Sequence, residues 1–105
     1  MNKKLIDGDH FHFIGIGGIG MSAIAMALIK KGYSVSGSDL VQNRETKNLK
    51  RLGAIIFDSQ IKKNIDFVIS KFQNHAINCV ISSAINDENE ELCFCKKHNL
   101  SLIHI

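Results

Sequence analysis

The chain of 105 residues has no proline, no tryptophan, one tyrosine and three cysteines. Without proline, a repeat or a low-complexity tract, nothing marks a linker, so a division into several domains is not expected. Cys79, Cys93 and Cys95 are an odd number. The start, Met1 to Asp9, also lacks the apolar core of an export signal, so a disulfide framework is not expected and a cytoplasmic location is. On a helix, Cys93 and Cys95 would face different ways, because residues on one face lie three or four apart; this argues against a metal site there. No apolar run reaches the roughly 18–20 residues that span a bilayer. Lys and Arg are scattered, and the net charge is only +3, so neither nucleic acid nor a membrane is an expected partner. No Ser-His-Asp, Cys-His or paired-carboxylate arrangement stands out. The phosphate-gripping signature G-x-x-x-x-G-K-[ST] is missing as well.

The composition is that of an ordinary globular domain, 45% apolar and 22% charged. One domain over residues 1–105 follows from the length. Phe11-His-Phe-Ile-Gly-Ile16 reads as a strand. It runs into a glycine-rich turn and an apolar helix ending at Lys30-Lys31, with Gly32 suited to close it in a left-handed conformation. A second strand over Tyr33 to Gly37 precedes a helix capped by Asn43 and ending before Gly53. Ala54 to Phe57 is a third strand, and Ile65, Val68, Ile69 and Phe72 are spaced as one buried helix face. A fourth strand over 76–82 precedes a helix that Asn86 or Asp87 can cap, with Glu88, Glu90 and Glu91 at its positive end, running to about His98. Leu100, Leu102 and Ile103 form a fifth strand. Alternating strands and helices predict an α/β fold: a Rossmann-like open parallel sheet of about five strands with helices on both faces. Such a sheet, stopping at its fifth strand, is expected to be part of a longer protein.

Gly15-Ile-Gly17-Gly18-Ile19-Gly20 satisfies G-x-G-x-x-G where the first strand passes into the first helix. Glycine allows a tight turn and lets backbone N–H groups approach phosphate oxygens, while the helix start adds free donors and partial positive charge. A diphosphate is the expected guest. Ser22 could add a hydroxyl, or serve only as a local backbone partner. Asp39, about twenty residues on and beside Ser38, lies where an acid accepts hydrogen bonds from a ribose, or where it merely starts a turn. Ser82 and Ser83 close the fourth strand on the same edge, as ligand-site rim or ordinary loop. His10 and His12 face one way but lack a third metal ligand, so no metal site is expected.

The run His12 to Ser22, with Ser36-Gly-Ser-Asp39 and Ser82-Ser-Ala-Ile85 in the same order, closely resembles the UDP-N-acetylmuramate:L-alanine ligases of the Mur ligase family. The resemblance covers essentially the whole chain, best over residues 12–40 and weakest over 59–78. It implies the amino-terminal, UDP-sugar-binding domain of an ATP-dependent, amide-forming ligase of peptidoglycan biosynthesis. UDP-N-acetylmuramate would be its ligand. Gly15, Gly17, Gly18, Ile19, Gly20, Met21 and Ser22 would then form the phosphate loop, Ser38 and Asp39 would lie on the uridine side, and Ser82 and Ser83 on the rim. The resemblance places ATP and magnesium in a central domain, and help with the amino acid in a carboxyl-terminal one, neither of them present here. This chain alone is therefore expected neither to hydrolyse ATP nor to form the amide. Two departures stand out: Asn89-Glu-Glu-Leu92 where the family has Asn-Pro-Glu-Leu, and a long stretch over 62–74.

Two other assignments remain open at this stage. A murein-peptide ligase begins with a similar loop that usually carries a cysteine, where Gly17-Gly18 stands here. An NAD(P)-binding Rossmann domain would share Gly15, Gly17, Gly20 and Asp39, but has no requirement for Gly18, Met21-Ser22 or Ser82 to Ile85. A regulatory domain that only binds nucleotide is a third assignment.

Overall fold

The computed structural model describes residues 8–105; the reading of residues 1–7 as no export signal lies outside the described residues. Nine elements alternate: β1 (His10–Ile14), α1 (Ile19–Lys30), β2 (Ser34–Ser38), α2 (Arg44–Arg51), β3 (Ile55–Phe57), α3 (Lys62–Lys71), β4 (Ile77–Ile81), α4 (Glu90–Lys97) and β5 (Ser101–His104). The five strands form one sheet in the order β3-β2-β1-β4-β5, and every pairing is parallel. This is the expected fold class, and the chain order reverses direction between β1 and β4. In open α/β sheets, ligands bind at the carboxyl edge of that reversal.

Local chemistry sets most boundaries. Gly32 (φ +95°) follows α1, Gly53 (φ +109°) follows α2, and Asn99 (φ 55°) follows α4, left-handed positions that end a helix without steric cost for glycine and at little cost for asparagine. Asn43 caps α2 in a capping box with Thr46: its side chain accepts from Thr46 N–H at 3.0 Å, and Thr46 Oγ1 accepts from Asn43 N–H at 3.0 Å. The start of α4 differs from expectation. Its cap is Asn89, which accepts from Leu92 N–H at 3.1 Å. Asn86 makes a local turn instead, accepting from Glu88 N–H at 2.7 Å. The stretch over 62–74 is largely α3, whose N-cap Ile61 offers no side-chain oxygen. Glu90 supplies it from the next helix by accepting from Lys62 N–H at 2.7 Å. Glu90 thus joins the starts of α3 and α4.

The two faces of the sheet carry different cores. Phe11 and Phe13 of β1 pack with Ala25 of α1 and Leu49 of α2 in the larger apolar cluster. On the other face, Ile14 and Ile81 meet Leu92 of α4, while Ile65 of α3 meets Cys79 and Cys95. Among the described residues no helix is long and apolar enough to cross a membrane.

Candidate functional site

The turn after β1 is fastened to the end of β2. Gly15 takes φ +85°, and the N–H groups of Gly15 and Ile16 both donate to the Ser38 carbonyl, at 2.8 and 3.0 Å. Ile16 is buried and lies so close over Gly37 that a Cβ there would stand 2.5 Å from Ile16 Cδ1 and 2.9 Å from the Phe13 carbonyl. Gly17 is held from both sides. Its N–H donates to Asp39 Oδ2 at 2.8 Å, and its carbonyl accepts from Asn43 Nδ2 at 3.1 Å. A Cβ on Gly17 would lie 2.8 Å from Asp39 Oδ2, so the geometry of the chain itself demands Gly15 and Gly17.

Gly18 and Gly20 differ. Gly18 is the N-cap of α1 with φ −65° and makes no side-chain cap. A Cβ there would be in ordinary contact, 3.5 Å from the Gly15 carbonyl, and one on Gly20 would meet nothing within 4 Å. Neither glycine is required by internal packing. The first intrahelical donor is Ser22 N–H, bonded to the Gly18 carbonyl at 2.8 Å, so the N–H groups of Ile19, Gly20 and Met21 are the unsatisfied donors of the helix start. No acidic side chain lies in this turn, and Ile19 is 89% exposed. The edge thus presents free donors and partial positive charge, a setting for an anion.

The remaining predicted site residues divide. Met21 is buried, and Ser22 Oγ donates to the Ile19 carbonyl at 3.1 Å, the local partnership left open above. Asp39 comes to the loop, but its carboxylate serves the chain: besides Gly17, it accepts from Val41 N–H at 3.0 Å. Ser82 and Ser83 reach the same edge because they follow the end of β4, which runs parallel to β1. They line a cleft of about 380 Å³ together with Ile85, Asp87, Lys96 and His104; Lys96 and His104 carry no motif that would single them out in the sequence.

Ser38 is different again. Every second residue of β2 faces the α3–α4 layer, so Ser38 is fully buried, and its hydroxyl donates to Glu91 Oε1 at 2.7 Å. Glu91 is also wholly buried, on the inward side of α4. Its Oε1 meets His12 Nε2 at 2.9 Å, and its Oε2 accepts from Asn64 Nδ2 at 2.6 Å. His12 Nδ1 lies 2.7 Å from Ser36 Oγ, which lies 2.7 Å from His10 Nε2, while His10 Nδ1 lies 2.7 Å from Ser34 Oγ. With both rings neutral, one direction of donation satisfies every atom: Ser34 to His10, His10 to Ser36, Ser36 to His12, His12 to Glu91. The carboxylate at the end can only accept, which sets the direction. Sequence reasoning took Glu91 for a dipole-facing acid. It stands two residues after the capping asparagine, and no spacing in the sequence marks it as inward-facing.

Burial first, and the nearby His12 and His75 second, push His10 down from 6.5 to about 3. Between those values the unfolded chain binds a proton that the folded chain refuses, so this stability is fully present above pH 6.5 and is lost as pH falls toward 3. Stability should therefore decline below pH 6.5 by up to about 1.4 kcal/mol per unit from His10 alone. Urea midpoints at pH 7, 6 and 5 check this, and a flat profile would contradict it.

Among the described residues no group of three or more His, Cys, Asp or Glu converges to hold a metal. Comparison with known proteins gives a family match over residues 10–105, to the model described as "Mur ligase family, catalytic domain". A UDP-N-acetylmuramate–L-alanine ligase of Prochlorococcus marinus subsp. pastoris is 86% identical over 104 residues, 99% of this chain and 22% of that protein. A crystal structure of UDP-N-acetylmuramate-alanine ligase from Thermotoga maritima superposes with TM-score 0.76 at 28% identity, covering 90% of this chain and 20% of that one. The UDP-N-acetylmuramate:L-alanyl-gamma-D-glutamyl-meso-diaminopimelate ligase of Neisseria meningitides also gives TM-score 0.76, over 91% of this chain and 28% of that one. At 23% identity that likeness concerns the fold alone. The chain spans about a fifth of the length of the curated relatives it matches.

Proposed function

The chain belongs to the Mur ligase family, and from that premise we propose that residues 1–105 are the domain holding the uridine diphosphate end of UDP-N-acetylmuramate in an ATP-dependent ligase that adds L-alanine during peptidoglycan synthesis. One observation carries the reading. Gly18 and Gly20 stand at an uncapped helix start with no steric need for glycine, and a ligand approaching the backbone supplies that need.

On this reading Gly15 and Gly17 shape the turn, and the free N–H groups of Ile19, Gly20 and Met21 face the diphosphate, flanked by Gly18 and Ser22, whose own N–H groups are held by the Gly15 and Gly18 carbonyls. Asp39 holds the turn from the uridine side. Ser38 supports it from beneath through its carbonyl, and Ser82 and Ser83 form the rim. The domain's part is to bind and orient. A diphosphate anchored on rigid backbone donors fixes where the muramyl carboxylate, at the far end of the ligand, is presented to the rest of the enzyme.

ATP and magnesium, which activate that carboxylate in such a ligase, do not fit the residues of this chain. The G-x-x-x-x-G-K-[ST] loop is absent from the sequence, and no carboxylate cluster converges among the described residues. That chemistry, together with the central and carboxyl-terminal domains and a cytoplasmic setting, belongs to the proposed whole protein.

Melting temperatures with UDP-N-acetylmuramate, UDP, NAD and NADP test the reading, because a ligand bound only by the folded state at about 100 times its Kd adds about 2.7 kcal/mol. The expected result is a rise of several degrees with the two uridine ligands and none with the dinucleotides. A rise with NAD or NADP alone would overturn the assignment.

A further inference from the structure

Under α4, on the face opposite the glycine-loop helix, two thiols stand in unusual proximity. Cys79 lies in β4, held in register between His12 of β1 and Leu102 of β5. Cys95 lies in α4, sixteen residues on. Both are fully buried, and Ile65 of α3 packs against both. Their sulfur atoms are 2.6 Å apart, well inside the separation of two non-bonded sulfurs and only slightly beyond the roughly 2.05 Å of a disulfide. Cys93 takes no part: it is exposed, and its thiol donates to the Asp87 carbonyl at 3.4 Å.

We propose that Cys79 and Cys95 form a redox site, a dithiol that closes to an intrachain disulfide between β4 and α4 on reaction with a low-molecular-weight disulfide. One protein thiol attacks the small disulfide, forming a mixed disulfide and releasing one small thiol. The second protein thiol then attacks the protein sulfur of that mixed disulfide and releases the other small thiol. Two protein thiols are oxidised, one small disulfide is reduced to two thiols, and the protons pass to the leaving thiolates. The mutual hydrogen bond first, and burial second, push the Cys79 thiol well above the ordinary thiol range, so closure proceeds during folding or local opening rather than from the closed native state. The bond would fasten α4 to the sheet one turn from Glu91 and two residues from the rim serines' strand end, and it does not depend on the identity of the ligand.

The test unfolds the chain in urea and refolds it in a glutathione buffer containing excess oxidised glutathione. Iodoacetamide then blocks the remaining thiols, and linked peptides are identified by mass spectrometry. The expected result is a Cys79–Cys95 link as the dominant species, a fall from three reactive thiols to one apart from glutathione held by Cys93, and a melting temperature above that of the reduced chain. Dithiothreitol should reverse all three. Cys93→Ser, a change at an exposed site, should leave the link intact. Links running through Cys93, a pair that remains reduced where Cys93 becomes glutathionylated, or an oxidised chain that melts below the reduced one would each overturn the proposal.

Discussion

Glu91→Ala is expected to cost about 3–5 kcal/mol, since each buried donor left without its acceptor costs about 1–3 kcal/mol. The carboxylate is the common acceptor for Ser38 at 2.7 Å, His12 at 2.9 Å and Asn64 at 2.6 Å. Truncation leaves the buried Ser38 and His12 donors without a partner, leaves Asn64 Nδ2 with only the Ser59 carbonyl at 2.7 Å, and removes the acceptor that orders the Ser34-His10-Ser36-His12 chain. For a domain of this size each kcal/mol lowers the melting temperature by about 4–8 °C, so a fall of more than about 10 °C is expected. Glu91→Gln should cost less. Its carbonyl oxygen can replace Oε1 toward Ser38 and His12, although its amide then faces the Asn64 amide, donor against donor, unless Asn64 turns over. Chemical denaturation of the two variants checks the order, and equal losses would show that burial of α4, rather than the network, is what matters.

The second large effect falls on binding rather than folding. Gly18→Leu should lower affinity for UDP-N-acetylmuramate roughly 100-fold, equivalent to about 2.7 kcal/mol, with little change in the melting temperature of the free chain. The new side chain leaves from a residue with φ −65° and meets only ordinary contacts at 3.5 Å and beyond, so it projects where the ligand would lie. Gly20→Ala sharpens the contrast. A methyl in open space within a helix adds about 0.5–1 kcal/mol of stability while crowding the diphosphate. Titration calorimetry beside thermal melting separates the two effects. If both variants bind as the parent does, the glycines serve something other than a ligand.

The fold was largely legible because its signals are local. Lys30-Lys31-Gly32, Asn43 and Gly53 mark helix ends through chemistry that depends on neighbours alone, and the strand-helix alternation then dictates a parallel sheet. The glycine turn was legible for the same reason. The start of α4 was harder to place, since Asn86, Asp87 and Asn89 can all cap and only packing selects Asn89. That single choice turns Glu91 inward. The roles of Ser38 and Asp39 depend on contacts reaching 53 and 22 residues along the chain, and no spacing within the sequence encodes such pairs. His104 reaches the cleft beside the rim serines because β5 lies next to β4, and Lys96 reaches it from the last turn of α4.

The central claim is that the backbone at the start of α1 receives the diphosphate. Amide chemical shifts of the 15N-labelled chain, followed while UDP-N-acetylmuramate is added, test it directly. The account predicts that the largest shifts fall on Gly18, Ile19, Gly20, Met21 and Ser22, with smaller ones at Asp39 and Ser83. Shifts concentrated instead around the separate hollow between α3 and α4, at Lys62, Glu90 and Lys97, with the glycine loop unmoved, would contradict it.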